Sequence, residues 1–393
     1  MHIEAVDFFY LAMPEITVAA DGSQDALLVR VSAGGHVGWG ECEASPLVSI
    51  AAFVCPMSHG ACRPVGASVI GQRLDDVADI ARIAALVEYD SMDLLQAAHT
   101  WSGIEMALWD LLGKVRSEPV WKLLGYARSE KKTPYASQLF GDTPQETLEL
   151  GRSARADGFR AVKFGWGPIG RGGVALDADH FAAAREGLGE DGILLVDVGQ
   201  IYGADVEAAA ARLPALEKAA ATWLEEPFNA SAYEAYGALA ARSPTVRIAG
   251  GEGAHNAFMA LHLIDYGGIG FVQIDCGRIG GIGPAKKVAD YARAKGVTYV
   301  NHTFTSNVAL SASLQPFAGV AEWSICEYPV HLKPVARDLT VGRIVRDANG
   351  EIAAPEAPGL GVEIDPATVR KYLVDVEIKV GGRTLFATPD LVG

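Results

Sequence analysis

ILLVD (193–197), TWLEEP (222–227) and VRIAGGE (246–252) each pass from an apolar, β-rich run into an acidic residue, and each is followed by a stretch of helical character. Five further runs extend the rhythm outward: PYASQL (134–139) and RAVKFG (160–165) before them, GFVQID (270–275), VTYVNH (297–302) and WSICE (323–327) after them. Their starts lie 24 to 33 residues apart, enough for one crossover helix in each interval. Eight such units predict a closed α/β barrel of parallel strands. The competing open, doubly wound sheet would carry a Gly-rich phosphate turn after its first strand, and none stands there.

The intervals read as helices one by one. Thr143 is placed to cap a helix over 144–156, and 205–220 has helical spacing with a kink expected at Pro214. The first 130 residues read differently: β-rich stretches at 2–11 and 25–31, a Gly-rich turn, GWGE (38–41), and a helical region over 75–115. In that region 103–115 presents a broad apolar face. The tail beyond Glu327 reads as a chain that returns to pack on something already folded. That last segment is rich in Pro and Gly, with short β-like runs such as LGVEID (360–365).

Composition narrows the function. With 33 Lys+Arg against 48 Asp+Glu the net charge is −15, and there is no basic run of the kind that binds nucleic acid or a membrane surface. No apolar stretch approaches the roughly 20 residues of a spanning helix, and the N-terminus does not resemble a leader, so a cytoplasmic protein is expected. Five scattered cysteines without a C-x-x-C pair give neither a disulfide framework nor a thiolate metal site.

A barrel carries its chemistry at the C-terminal ends of its strands. Those ends offer Lys163, Asp197, Glu225, Glu252, Asp275, His302 and Glu327. Three carboxylates on successive strands, Asp197, Glu225 and Glu252, would repel one another around one mouth unless they share a cation. Hard oxygen donors without a thiolate favour Mg²⁺, one ion per subunit, with Mn²⁺ as a substitute. On the next two ends, Asp275 is placed to fix one ring nitrogen of His302 and leave the other free as a base.

These motifs together resemble the enolase superfamily in its mandelate racemase/muconate lactonizing enzyme-like branch. The resemblance runs through ALWDLLGK (107–114), PVWKLLG (119–125), VKFG (162–165), the acidic ends of strands three to five, DCGRIGG (275–281) and NH (301–302). It implies a (β/α)7β barrel over 131–328 under an α+β cap formed by residues 1–130 and completed by 329–393, with Asp197, Glu225 and Glu252 as metal ligands, Glu226 a neighbour only, and Asp275–His302 as a catalytic dyad 27 residues apart. Many members carry Lys-x-Lys on the second strand, the second lysine acting as a base on the substrate face opposite the histidine. Here the stretch is Lys163-Phe164-Gly165. The remaining dyad resembles that of the acid-sugar dehydratases, and FGWGP (164–168) is similar to rhamnonate dehydratases.

The expectation is therefore a small carboxylate substrate and Mg²⁺-dependent dehydration of an aldonate-type acid sugar to a 2-keto-3-deoxy acid. The alternatives are a racemase or epimerase, and a silent carboxylate-binding barrel. By the same resemblance Lys163 faces the substrate carboxylate and Glu327 contacts the enolate oxygen, with Glu322 the other candidate; Arg278, close to a strand end, is expected to bridge to the ligand carboxylates or to Asp275. Cap loops near 15–24 and 43–62 set specificity, with Trp166, His59, Asn301 and Ser137 as substrate contacts, Arg63 a further candidate, and a homo-oligomer as the assembly.

Overall fold

The eight apolar runs become eight parallel strands because each alternates between an inner and an outer face with a period of two. In the computed structural model, which describes residues 1–43 and 45–391, three strands come first: β1 (Ile3–Ala12), β2 (Asp25–Ala33) and β3 (His36–Cys42). The barrel follows as β4 (Thr133–Leu139), β5 (Ala161–Gly165), β6 (Ile193–Asp197), β7 (Ala221–Glu225), β8 (Arg247–Gly250), β9 (Phe271–Asp275), β10 (Thr298–His302) and β11 (Ile325–Pro329). A hairpin of β12 (Glu377–Val380) and β13 (Arg383–Ala387) lies near the end. The barrel sheet runs β10-β9-β8-β7-β6-β5-β4-β11, each neighbour parallel to the next.

Tyr135, Ala161, Leu195, Trp223, Ala249 and Val300 form an apolar plug separate from the larger core between strands and helices. Two residues further along the same strands stand Ser137, Lys163, Asp197, Glu225 and His302, so the inward face changes from apolar to ionisable within one pleat. The plug is the floor of the site. Strand ends are level with one another: Gly165 pairs with Asp197, Asp197 with Glu225, and His302 with Asp275.

Among the described residues no backbone ladder joins β10 to β11, the last seam of the barrel. The Asn301 side chain bridges it. Its Oδ1 accepts from the Glu327 N–H at 2.8 Å, and its Nδ2 donates to the Glu327 carbonyl at 3.3 Å and to Ser313 Oγ at 2.9 Å. One amide group thus supplies both the acceptor and the donor that a neighbouring strand would offer.

The cap is the antiparallel sheet β1-β2-β3 with the helix Ala97–Arg116 laid across it. The glycines of GWGE make that approach possible: a Cβ at Gly38 would lie 2.0 Å from the Ala107 carbonyl oxygen, and one at Gly40 would lie 2.1 Å from that of Gly103. Buried Asp110 accepts from Trp39 N–H, Leu360 N–H and the Lys114 ammonium, joining sheet, helix and C-terminal segment. Glu105, on the same helix, accepts from the N–H groups of Ile282 and Gly283 and ties the cap to the barrel helix Ile282–Lys295. Beyond the barrel the chain returns to the first strand, where Leu373 bridges Leu11 and Val374 N–H donates to the Tyr10 carbonyl.

Two local expectations are corrected. The stretch 205–220 is two helices, Val206–Ala210 and Leu213–Lys218, with Pro214 in the first turn of the second, where its missing N–H has no partner to lose. LGVEID is not a strand: Gly359 and Gly361 take positive φ of 69° and 67°, Asp110 captures the Leu360 N–H between them, and one isolated bridge, Thr340 to Ile364, is all that remains. Among the described residues no helix is long and apolar enough to cross a membrane.

Candidate active site

Above the plug, β6, β7 and the loop after β8 bring Asp197, Glu225 and Glu252 together, with one oxygen of each inside a 4.8 Å circle. All three are buried. Burial pushes Asp197 up to about 7 and Glu225 up to about 8, Lys163 working against the rise and the other carboxylates with it. Burial also acts on Glu252, but the facing charges of His302, Arg278 and Lys163 outweigh it and hold that carboxyl at about 2. Three oxygen donors crowded in a dry site fit a hard divalent cation, which would replace mutual repulsion by shared attraction. Glu226 turns away on a left-handed backbone (φ 43°) and accepts from Gln200 Nε2 at 2.9 Å, so WLEEP contributes its first glutamate to the cluster.

Lys163 lies across the mouth from β5. Its Nζ is 2.7 Å from Glu225 Oε1, 2.8 Å from Glu327 Oε1 and 3.7 Å from Asp197 Oδ2. Burial opposes its charge, yet these carboxylates raise its pKa well above the ordinary lysine value, so it is a fixed cation. Glu327 also accepts from Ser137 Oγ at 2.7 Å and from the Thr303 N–H at 2.6 Å. Glu322 is far from this cluster, exposed and paired with Arg293 at 2.8 Å.

The histidine is held from one side. Asp275 Oδ2 is 2.7 Å from His302 Nδ1, and Asp275 Oδ1 accepts from Gly277 N–H at 2.6 Å, which fixes the carboxylate. Nε2 is left toward the site, 3.1 Å from Glu252 Oε2. Burial disfavours the imidazolium, but Glu252, Glu327 and Asp275 outweigh it and raise the ring to about 10. Arg278 spans from Glu252 Oε1 at 3.1 Å to Glu43 Oε1 at 3.0 Å. It braces a triad carboxylate from behind and joins it to the cap.

Above these groups is a cavity of about 320 Å³ lined by Ser137, Lys163, Trp166, Asp197, Glu252, Arg278 and His302, and by the cap residues Ala19 to Gly22 and Glu43. Trp166 and Ser137 therefore lie where a substrate would meet them. His59 does not: it is exposed and bonded to Asp93 at 2.9 Å, outside the cavity. Arg63 likewise pairs with Asp90 at 2.8 Å. Asn301 is fully buried in the seam, because both faces of its amide are taken by Glu327 and Ser313. Of the cap loops, 15–24 reaches the cavity through Ala19 to Gly22, whereas 43–62 reaches it through Glu43, with position 44 outside the described residues.

Glu43 and Asp21 were missed by the sequence reading. The only signal was an acidic pair, Glu41 and Glu43, at the end of a cap strand, and nothing local says that Glu43 meets Arg278, 235 positions away.

Comparison with known proteins agrees with this geometry. Residues 146–368 match the family model "Enolase C-terminal domain-like", and residues 10–125 match "Mandelate racemase / muconate lactonizing enzyme, N-terminal domain". A crystal structure described as a predicted mandelate racemase from Rhodobacter sphaeroides is 69% identical, covering 99% of this chain and 100% of that one, with a TM-score of 0.95. The D-galactarolactone cycloisomerase of Agrobacterium fabrum is 29% identical over 86% of this chain and 88% of its own length. A Caldivirga maquilingensis protein named "Putative L-rhamnonate dehydratase" is 30% identical over 67% of this chain and 64% of its own length. With the barrel, the cap and both family models in agreement, the chain belongs to the enolase superfamily, in its mandelate racemase/muconate lactonizing enzyme group.

Proposed function

We propose that the protein dehydrates an aldonate-type acid sugar by removing the proton next to its carboxylate, giving a 2-keto-3-deoxy acid. Asp275 holds Nδ1 of His302; with the charge of Glu252, the largest upward push on the ring, taken up by a cation on the triad, Nε2 is left unprotonated to take the α-proton. The C–H electron pair moves into the carboxylate system and returns to expel the β-hydroxyl. His302, now an imidazolium, donates its proton to that oxygen, which leaves as water, and the enol product tautomerises to the 2-keto acid. Lys163 provides a fixed positive charge toward the carboxylate end, and Glu327, anchored by Ser137 and Thr303, faces the same region. Asp197, Glu225 and Glu252 would hold Mg²⁺, or Mn²⁺ in its place, which when bound supplies the Lewis acidity that spreads the developing negative charge.

The observation that carries dehydration over racemisation is Gly165. A racemase needs a base on each substrate face, and the position two residues beyond Lys163 has no side chain; a Cβ there would lie 3.1 Å from Asp197 Oδ2. Lys163 itself is engaged by two carboxylates and stays protonated. The names of the two curated relatives, a cycloisomerase and a dehydratase, point to acid sugars as the substrate class. The test is a stereochemically complete acid-sugar library incubated with Mg²⁺ and scored for semicarbazide-reactive product. At least one aldonate is expected to react, and His302→Asn is expected to abolish the reaction. Deuterium entering the α-position of recovered substrate with inversion would sink the one-base mechanism.

A further inference from the structure

The cavity holds three cationic groups among its described lining residues, and each is already matched by carboxylates. Lys163 lies between Glu225 and Glu327, Arg278 between Glu252 and Glu43, and His302 between Asp275 and Glu252. These groups lie at the barrel floor and along one side. The wall supplied by the cap is different. It consists of Ala19, Ala20, Asp21 and Gly22, with Glu43 beside them and Phe304 behind: a Cβ on Gly22 would be 3.3 Å from the Phe304 carbonyl and 3.4 Å from Glu43 Oε1. Asp21 accepts from Ser23 through both its N–H and its hydroxyl, at 2.9 and 2.5 Å. The nearest cation to it, Lys333, is 3.8 Å away, outside the cavity lining and half-exposed.

The cap wall of the cavity is thus made of small residues, partly apolar and acidic, and on the acid-sugar reading it faces the part of the substrate away from the reacting carboxylate. We infer that the site takes monocarboxylates and rejects dicarboxylates, with Asp21 as the residue that sets this preference, since Glu43 is already matched by Arg278. The inference rests on the acid-sugar reading and deepens it: aldonates, whose far end is a hydroxyl, are accepted, whereas aldarates, whose far end is a second carboxylate, are refused. Two like charges about 6 Å apart at an effective permittivity of about 20 repel enough to cost roughly a hundredfold in affinity. A terminal hydroxyl at the same place pays no such penalty and can donate to Asp21.

The experiment compares six-carbon aldonates and aldarates of matched configuration, by kcat/KM on the Mg²⁺-loaded protein and by calorimetric Kd on its His302→Asn variant, which binds without turnover. The expected result is a preference for the monocarboxylate of roughly a hundredfold. Asp21→Asn should remove most of it, and Ala20→Arg, which places a cation on an exposed position of the cap wall, should also narrow it. An aldarate within tenfold of its aldonate in the unmodified protein, or a ratio that neither substitution moves, overturns the inference. If no acid sugar of either class is turned over, the dehydratase reading fails, and the Kd ratio still decides the charge preference: tighter monocarboxylate binding supports it, and equal or absent binding overturns it.

Discussion

Replacing Asn301 separates two contributions to the seam between β10 and β11. In Asn301→Leu the side-chain volume is nearly kept while the amide is lost, and in Asn301→Ala the volume goes as well. The Glu327 N–H, 2.8 Å from Asn301 Oδ1 and fully buried, then has no acceptor, a loss of about 1–3 kcal/mol. The weaker bond to the Glu327 carbonyl, at 3.3 Å, and the one to Ser313 Oγ add to it, so Asn301→Leu should lose about 3 kcal/mol in all. The cavity left in Asn301→Ala should take the loss to about 5 kcal/mol. With an unfolding entropy of about 2.1 cal/mol/K per residue over 393 residues, 1 kcal/mol corresponds to a Tm change of about 1.2 °C. Calorimetric melting should therefore show drops of about 4 °C for the leucine variant and about 6 °C for the alanine variant. One side of the seam carries His302 and the other Glu327, so turnover by the leucine variant should also fall tenfold or more. A leucine variant that melts within 1 °C of the parent with full turnover would refute the idea that this amide closes the barrel.

Three other outcomes are expected. Mg²⁺ at about a hundred times its Kd should raise the melting temperature by about 3 °C, and Asp197→Asn should abolish most of that rise, as read by melting with and without the ion. His99, which touches His255 at 2.9 Å with Arg278 and Asp275 also facing it, is pushed down to about 4 by burial and then by its cationic neighbours. Its folded pKa lies below the ordinary 6.5, so the unfolded chain binds the proton first. Stability should be complete above pH 6.5 and fall by about 3 kcal/mol toward pH 4, and His99→Gln should flatten that slope in denaturant titrations across the range. Glu105→Ala leaves the N–H groups of Ile282 and Gly283 without their acceptor at the junction of cap and barrel, and should cost about 2–4 kcal/mol in the same unfolding assay.

The barrel was legible because its strands announce themselves twice, by an apolar run and by the ionisable residue that ends it. Asp197, Glu225, Asp275 and His302 close their strands in the structure, whereas Lys163 and Glu327, expected at strand ends, stand two residues before the ends of theirs; the inward pleat passes from plug to mouth in two residues. Long-range pairing was not legible. Asn301 beside His302 reads as a group for substrate hydroxyls, yet its partner is the backbone of Glu327 on a strand 26 positions later. His59 has the chemistry of a binding residue, but Asp93 holds it at the surface. Glu43 belongs to the cavity only because β3 ends over the loop after β9, with its N–H on the Gly277 carbonyl, and no periodicity carries that information.

The return of the last segment to the first strand bears on how the chain is made. Leu11 meets Leu373, and the Tyr10 carbonyl meets the Val374 N–H, so contacts more than 360 residues apart close the cap with the whole barrel between them. During synthesis the first strand emerges earliest and finds this partner last. In a nascent chain halted after the eighth barrel strand, residues 71–73 can hold the Ile3 end of the β1 edge while its Tyr10–Leu11 end is still bare, the kind of edge that recruits other chains. Pairing of this end of the first strand is therefore a late event: a chain cut short before position 373 leaves Tyr10 and Leu11 without their partners.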